Sequence, residues 1–269
     1  MTPQTQSRDG TTLYVETFHS KEAEKAHILL VHGANEHIGR YSHVIDALNA
    51  SGYTVTGVDL RGHGRSYGKR GHVMSWGDYR DDLSAGAKVA GSPVFVLAHS
   101  MGGLVAADTL IDPQFEVRGL VLSNPLFGLA FTPPVIKATA AKIISKIIPA
   151  LSMGNEVVVE HLSRDVAVQN AYRTDPLITS SLTPRWFTEM LGAISRLERD
   201  GGKITCPTLL LQGTGDKVTS VEATSAIVDK FGSKDKTTKS YDGLYHEILN
   251  EPERELVIAD MIAWLDSKI

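Results

Sequence analysis

Ser92-Pro93-Val94-Phe95-Val96-Leu97-Ala98-His99-Ser100-Met101-Gly102-Gly103 is the stretch on which the reading of this chain turns. The apolar run 94–98 has the length of a buried strand, and it stops at a serine followed by two glycines. Residues 104–111 continue as an apolar helical stretch. Strand, tight turn and helix put Ser100 at the apex of the turn. There the backbone is strained, and the residues two before and two after must be small. Those residues are Ala98 and Gly102. Glycine is usual at both, and alanine at the first is a mild departure that adds only Cβ. Small-x-Ser-x-Gly patterns are common by chance, so the flanking strand and helix are what single this one out.

Outward from this turn the chain alternates. Residues 27–31, 54–58, 118–122, 208–211 and 237–241 read as further strands, and 11–17 alternates like an edge strand. Helical spacing appears over 40–50 (Tyr41, Val44, Ile45, Leu48), over 78–89 and in a closing helix over 253–267. Continuous apolar strands separated by helices predict an α/β fold, with a mostly parallel central sheet and helices on both faces. Such sheets bind ligands at the carboxyl ends of their strands. His32-Gly33, Asp59, Ser100, Asn124, Asp216 and His246 all fall just after strands. Residues 125–197 break the alternation. They are apolar and helical without a clear strand, and they carry Pro133, Pro134, Pro149, Pro176 and Pro184. We read them as an inserted helical cap, with 1–124 and 198–269 forming the core.

The 269 residues suffice for one large α/β domain with an insertion. With 27 basic against 31 acidic residues the chain lacks the basic excess of a nucleic-acid-binding surface. Cys206 is the single cysteine, which excludes an intrachain disulfide, and its place before Pro207 suits a buried structural thiol. Residues 1–10 are polar, without the apolar core of a signal peptide. No run reaches the roughly 18 apolar residues of a membrane-spanning helix. The expectation is a soluble, cytoplasmic protein. Nothing in the sequence sets an oligomeric state.

A serine hydroxyl becomes a nucleophile when a histidine takes its proton and a carboxylate holds that histidine. On a strand–turn–helix scaffold the chain order is serine, acid, histidine. Asp216, in Leu-Gln-Gly-Thr-Gly-Asp, and His246, in Gly-Leu-Tyr-His-Glu, complete a candidate triad with Ser100; Asp242 is the rival acid, better explained by turn chemistry. Two backbone N–H groups should form the oxyanion hole, one from Met101 and one from Ala34 in the loop after the 27–31 strand. The chemistry implied is acyl transfer to water, from an ester, thioester or amide.

His32-Gly-Ala-Asn-Glu-His-Ile-Gly-Arg-Tyr41, Asp59-Leu-Arg-Gly-His-Gly-Arg-Ser66 and His99-Ser-Met-Gly-Gly103 resemble the monoacylglycerol lipase family of α/β-hydrolases, which includes lysophospholipases and serine aminopeptidase-like hydrolases. Leu-Leu-Leu-Gln-Gly-Thr-Gly-Asp and Tyr-His-Glu extend the resemblance over almost the whole chain. It implies the α/β-hydrolase fold and hydrolysis of single-chain acylglycerols or related lipid esters through an acyl-enzyme, with no metal or cofactor. It also implies oxyanion donors at Ala34 and Met101 and a substrate-binding Arg40 beside the glycerol pocket. Glu36 and His37 would shape the loop, while Asp59, Arg61 and His63 would brace it. Mammalian relatives carry an acid four residues before a tyrosine in a motif ending Ser-Asp-Pro-Leu. Here Tyr172 and Thr174-Asp-Pro-Leu177 are intact and Tyr172 remains a head-group candidate, but Val168 stands in place of the acid. That leaves lysophospholipids and small esters open as alternative substrates. A ligand receptor built on the same scaffold is the alternative of a different class.

Residues 135–148 are the most amphipathic stretch, with Ile136, Ala140, Ile143, Ile144, Ile147 and Ile148 on one stripe. The stripe either packs onto the core or forms an apolar lid that meets a membrane or micelle. Lys142 and Lys146 share the polar face, while Lys137 lies near the stripe's edge.

Overall fold

Four strands of this chain are apolar on both faces, and that property organises the molecule. In the computed structural model, which describes residues 3–131, 135–154 and 157–269 and leaves out the side chains of 135–138, the first half runs β1 (Gln4–Gln6), β2 (Thr12–Phe18), β3 (Ala26–Val31), α1 (Ser42–Ala50), β4 (Tyr53–Val58), α2 (Trp76–Ala90), β5 (Val94–His99), α3 (Met101–Leu110) and β6 (Val117–Ser123). Then come α4 (Val135–Ile147), β7 (Met153–Gly154), α5 (Val166–Thr174), β8 (Ser181–Leu182) and α6 (Pro184–Asp200). The chain closes with β9 (Thr208–Gly213), α7 (Val221–Asp229), β10 (Lys236–Tyr241) and α8 (Arg254–Asp266).

Eight strands form one sheet in the order β1-β2-β4-β3-β5-β6-β9-β10, antiparallel only at β1/β2 and β2/β4. Successive residues of β5 serve opposite layers, because side chains alternate across a strand. Val94, Val96 and Ala98 pack with Leu83 of α2 and Leu104 and Val105 of α3. Phe95 and Leu97 pack with Val44 and Leu48 of α1 and Met261 and Trp264 of α8. Helices therefore cover both faces, as the continuous apolar strands require.

The expected edge strand at 11–17 is not the edge. β1 pairs outside it, Thr5 opposite Leu13. Three polar residues, Gln-Thr-Gln, carry no alternation by which such a strand could be recognised. The stretch 125–197 also holds a strand pair, β7 with β8, two residues each and too short to leave a pattern. Among its described residues it also holds the helices α4, α5 and α6, with α4 against α6. Pro133 and Pro134 lie outside the described residues, as do the side chains of Ile136 and Lys137. The apolar stripe of α4 is turned mainly outward: Ile143, Ile147 and Ile148 are 56%, 72% and 53% exposed. Ser145, not an isoleucine, is the buried contact, its hydroxyl 2.9 Å from Thr188 Oγ1 of α6.

Candidate active site

Ser100 sits between β5 and α3 at φ 50°, ψ −119°, a left-handed backbone that few residues other than glycine adopt. Its carbonyl accepts from Gly103 N, Leu104 N and Leu126 N, and its own N–H donates to Ser123 O at 3.0 Å, so the strain is held from several sides. A Cβ on Gly102 would lie 2.5 Å from His32 O and 2.7 Å from Val31 O, both backbone atoms. Glycine is thus required two residues after the serine. Ala98, two before it, is still within β5, and its methyl packs into the layer under α2 and α3. That is why alanine is accepted there.

The Ser100 hydroxyl donates to His246 Nε2 at 2.9 Å, and His246 Nδ1 donates to Asp216 Oδ2 at 2.8 Å. Asp216 also accepts from Val218 N, Thr219 N and the Thr219 hydroxyl at 2.7, 3.0 and 2.6 Å. Burial pushes the Asp216 carboxyl up, but His246 and Thr219 outweigh it and hold the group below its ordinary range. Burial likewise works against a charged His246, yet the facing Asp216 carboxylate lifts the imidazole above its usual value. A neutral His246 with its proton on Nδ1 leaves Nε2 free to take the serine proton. Asp242, the rival acid, is exposed and accepts from Thr214 Oγ1 instead.

Asn124 fixes the histidine loop. At φ 38° beyond β6, its Nδ2 donates to Tyr245 O at 3.0 Å and His246 O at 2.7 Å, while its Oδ1 accepts from Gly213 N at 2.9 Å. One side chain thereby ties the ends of β6 and β9 to the loop after β10. His99 stacks obliquely on His246, ring centres 4.9 Å apart, and burial followed by the field of His246 pushes its pKa down to about 4. It is a neutral neighbour.

The loop after β3 carries the other expected residues. Among the described residues the N–H groups of Ala34 and Met101 have no hydrogen-bond acceptor, and Ala34 lines a cavity of about 310 Å³ that also reaches Ser100 and His246. Glu36 accepts from Gly33 N and the Tyr41 hydroxyl, each at 2.6 Å. His37 accepts from Gly39 N on Nδ1 and donates from Nε2 to Asp175 at 2.9 Å, linking the loop to the segment after α5. Asp59 accepts from Ile38 N and Arg65 N, and Arg61 clasps Asp82 and Asp9. His63, its Nδ1 donating to Arg61 O, is buried so deeply that its pKa falls to about 3.

Arg40, the expected head-group contact, lies beside the cavity and is held by two glutamates. Its Nη1 donates to Glu36 at 2.6 Å and Glu247 at 2.7 Å, its Nη2 to Glu247 at 2.7 Å, and its guanidinium lies 5.0 Å from the Tyr172 ring centre. Glu36, Tyr172 and Glu247 line the cavity; Arg40, which holds all three, does not. Two buried carboxylates compete for its donors, and an arginine fork can satisfy both. Glu247 and Thr219 are the supporting residues that sequence reasoning missed, and Asn124 was placed at a strand end without a role. Glu247 was visible in Tyr-His-Glu, but its partner lies 207 positions away.

The cavity is walled mainly by apolar side chains, including Leu126, Leu162, Trp186, Phe187 and Met190. Val168 is half-buried on α5 and does not reach it. A larger open groove of about 700 Å³, lined by Pro93, Phe115 and Cys206, contains no triad residue. Burial raises the Cys206 thiol to about 11, so it is an unreactive structural thiol.

Residues 22–253 match the family described as serine aminopeptidase, S33. The chain is 32% identical over 248 residues to a monoacylglycerol lipase of Mycolicibacterium smegmatis, covering 90% of this chain and 88% of that one. It is 33% identical over 247 residues to a phospholipase of Bacillus subtilis, covering 90% and 95%. A crystal structure of Paleococcus ferrophilus monoacylglycerol lipase superposes with a TM-score of 0.89 at 31% identity, covering 96% of this chain and 99% of that one. The chain belongs to the monoacylglycerol lipase-like, serine aminopeptidase S33 family of α/β-hydrolases.

Proposed function

We propose that this serine hydrolase of lipid esters cleaves monoacylglycerols through Ser100, His246 and Asp216. The observation that carries the reading is the hydrogen-bonded chain of these three residues, at 2.9 and 2.8 Å, facing an apolar-walled cavity. Ser100 Oγ attacks the ester carbonyl carbon as His246 Nε2 takes its proton, and Asp216 stabilises the imidazolium. The oxyanion that forms on the carbonyl oxygen is received by the N–H groups of Ala34 and Met101. His246 then returns the proton to the departing alcohol, leaving an acyl-serine. Water, deprotonated by the same histidine, releases the fatty acid. Tyr172 and Glu36 border the head-group end, and the segment 125–197 caps the site.

Phe131 and Met153 line the cavity and are also 55% and 49% exposed, so they form its mouth. Exposed Ile143, Ile147 and Ile148 on the same segment give an apolar outer surface, with Lys142 and Lys146 also exposed on α4. Such a surface suits peripheral contact with a membrane or micelle. No helix among the described residues is long and apolar enough to cross a membrane.

The test is a panel of monolauroylglycerol, lysophosphatidylcholine and p-nitrophenyl acetate, with wild type and Ser100→Ala. Monolauroylglycerol should be turned over fastest, and Ser100→Ala should lose at least about 10³-fold on every substrate. Lysophospholipid preference would move the assignment to the reading that the Bacillus relative's name favours. Retained activity in Ser100→Ala would end the mechanism.

A further inference from the structure

The polar groups at the cavity wall are mostly consumed inside the protein. Glu36 is held by Gly33, Arg40 and Tyr41, Glu247 by Arg40 and Asn250, and the Thr183 hydroxyl by Trp186 N and His72. Asn35 is different. It lines the same cavity and is 1% exposed, yet its Oδ1 has no hydrogen-bond partner among the described residues. Its backbone is committed: φ is 65°, and its carbonyl accepts from Thr179 N at 3.1 Å. The side-chain oxygen, by contrast, is left unpaired.

A buried amide left unpaired is destabilising, so its presence calls for an explanation. The left-handed backbone alone does not supply one, since glycine would occupy φ 65° with no strain and no orphaned polar atom. Asn35 also follows Ala34 directly, about 3.8 Å along the chain from the proposed oxyanion donor. A group there lies close to the ester under attack. A carboxamide offers one acceptor and two donors, and an alcohol hydroxyl, donor and acceptor at once, complements it.

We infer that the Asn35 carboxamide is a specificity residue that hydrogen-bonds a free hydroxyl on the alcohol half of the ester, so that the enzyme selects esters of polyhydric alcohols over esters of simple ones. The inference rests on the lipid-ester reading above and deepens it. A small turn of χ2, a soft torsion, brings Oδ1 or Nδ2 to the hydroxyl. The unpaired atom is then satisfied only when such a substrate is bound, which makes discrimination larger than a surface hydrogen bond would give.

The test is a cycle with two enzymes and two substrates: wild type and Asn35→Gly, each with 1-lauroylglycerol and with 1-lauroyl-2,3-di-O-methylglycerol, which has the same ester with its hydroxyls masked. Wild type should favour the free glycerol ester in kcat/KM, and Asn35→Gly should reduce that preference about 5- to 10-fold while retaining activity on the masked ester. Its Tm should be unchanged or higher, because the orphaned amide is gone and glycine accepts the backbone. An equal loss on both substrates, an unchanged preference, or a variant too unstable to assay would each show that Asn35 serves the loop and would overturn the inference. Wild type that hydrolyses the masked ester but not 1-lauroylglycerol would instead refute the monoacylglycerol reading, and the inference with it.

Discussion

Replacing Arg40 by methionine tests the buried network most directly. The substitution keeps the aliphatic stem and removes the cation that bridges Glu36 and Glu247, whose side chains are 3% and 5% exposed. In the native protein burial raises the Glu36 carboxyl, but Arg40 leads the groups that bring it down to about 2. A group lowered in this way contributes stability that is fully present above its unfolded value near 4.3. The wild-type contribution of Glu36 is therefore flat between pH 5.5 and 7.5. In Arg40→Met burial loses its main counterweight and the carboxyl is driven neutral. Holding it protonated costs about 1.36 kcal/mol per pH unit above 4.3, hence about 4 kcal/mol at pH 7.5 and less than half of that at pH 5.5. The first figure falls within the roughly 3–5 kcal/mol expected when a buried ion pair is broken from one side. The folded variant binds a proton that its unfolded chain releases, so its stability falls as pH rises. Urea unfolding followed by tryptophan fluorescence at both pH values measures the gap between the two proteins. It should narrow by about 2.7 kcal/mol on going from pH 7.5 to 5.5. A gap below about 1.5 kcal/mol at pH 7.5, or one that does not narrow in acid, would refute the argument.

Three further outcomes follow from the site. Because Asp216 holds His246 above the ordinary histidine value against the effect of burial, kcat/KM should decline on the acid side with a midpoint above 6.5, as the base becomes protonated and unable to take the serine proton. Asp216→Asn should slow p-nitrophenyl ester hydrolysis about 10³- to 10⁴-fold, measured by stopped assay across pH. Asn124→Ala loses the three hydrogen bonds that tie the ends of β6 and β9 to the histidine loop. It should cost about 2–4 kcal/mol in urea unfolding and lower kcat with less effect on KM; wild-type kcat in that variant would show that the loop holds itself.

Much of the site was legible because each residue of it stands where a strand ends. Ser100 and Asp216 follow β5 and β9, whose apolar runs of strand length reveal those ends without any tertiary information, and His246 follows β10, a largely polar strand. What escaped notice had no local signature. Strand β1 is three polar residues, and Glu247 looks like any acid beside a histidine. Asn124 could be placed at the end of a strand, but nothing local shows that its two amide ends join segments some ninety and one hundred and twenty positions away. The partners of Arg40 were hidden for the same reason. Sequence put it in the right loop, but the second carboxylate that claims it comes from the other end of the chain.

The sequence by itself determined the serine turn, the order of the catalytic groups and the layering of helices on a parallel sheet. These depend on local periodicity and on the small residues that a strained turn demands. Only the tertiary structure decided which acid faces His246, that Arg40 joins two glutamates, that the stripe of α4 looks outward, and that Asn35 Oδ1 is left unpaired among the described residues. Each of those depends on how groups distant in the chain share a few buried donors and acceptors, and that sharing is settled only when the fold brings them within hydrogen-bonding distance.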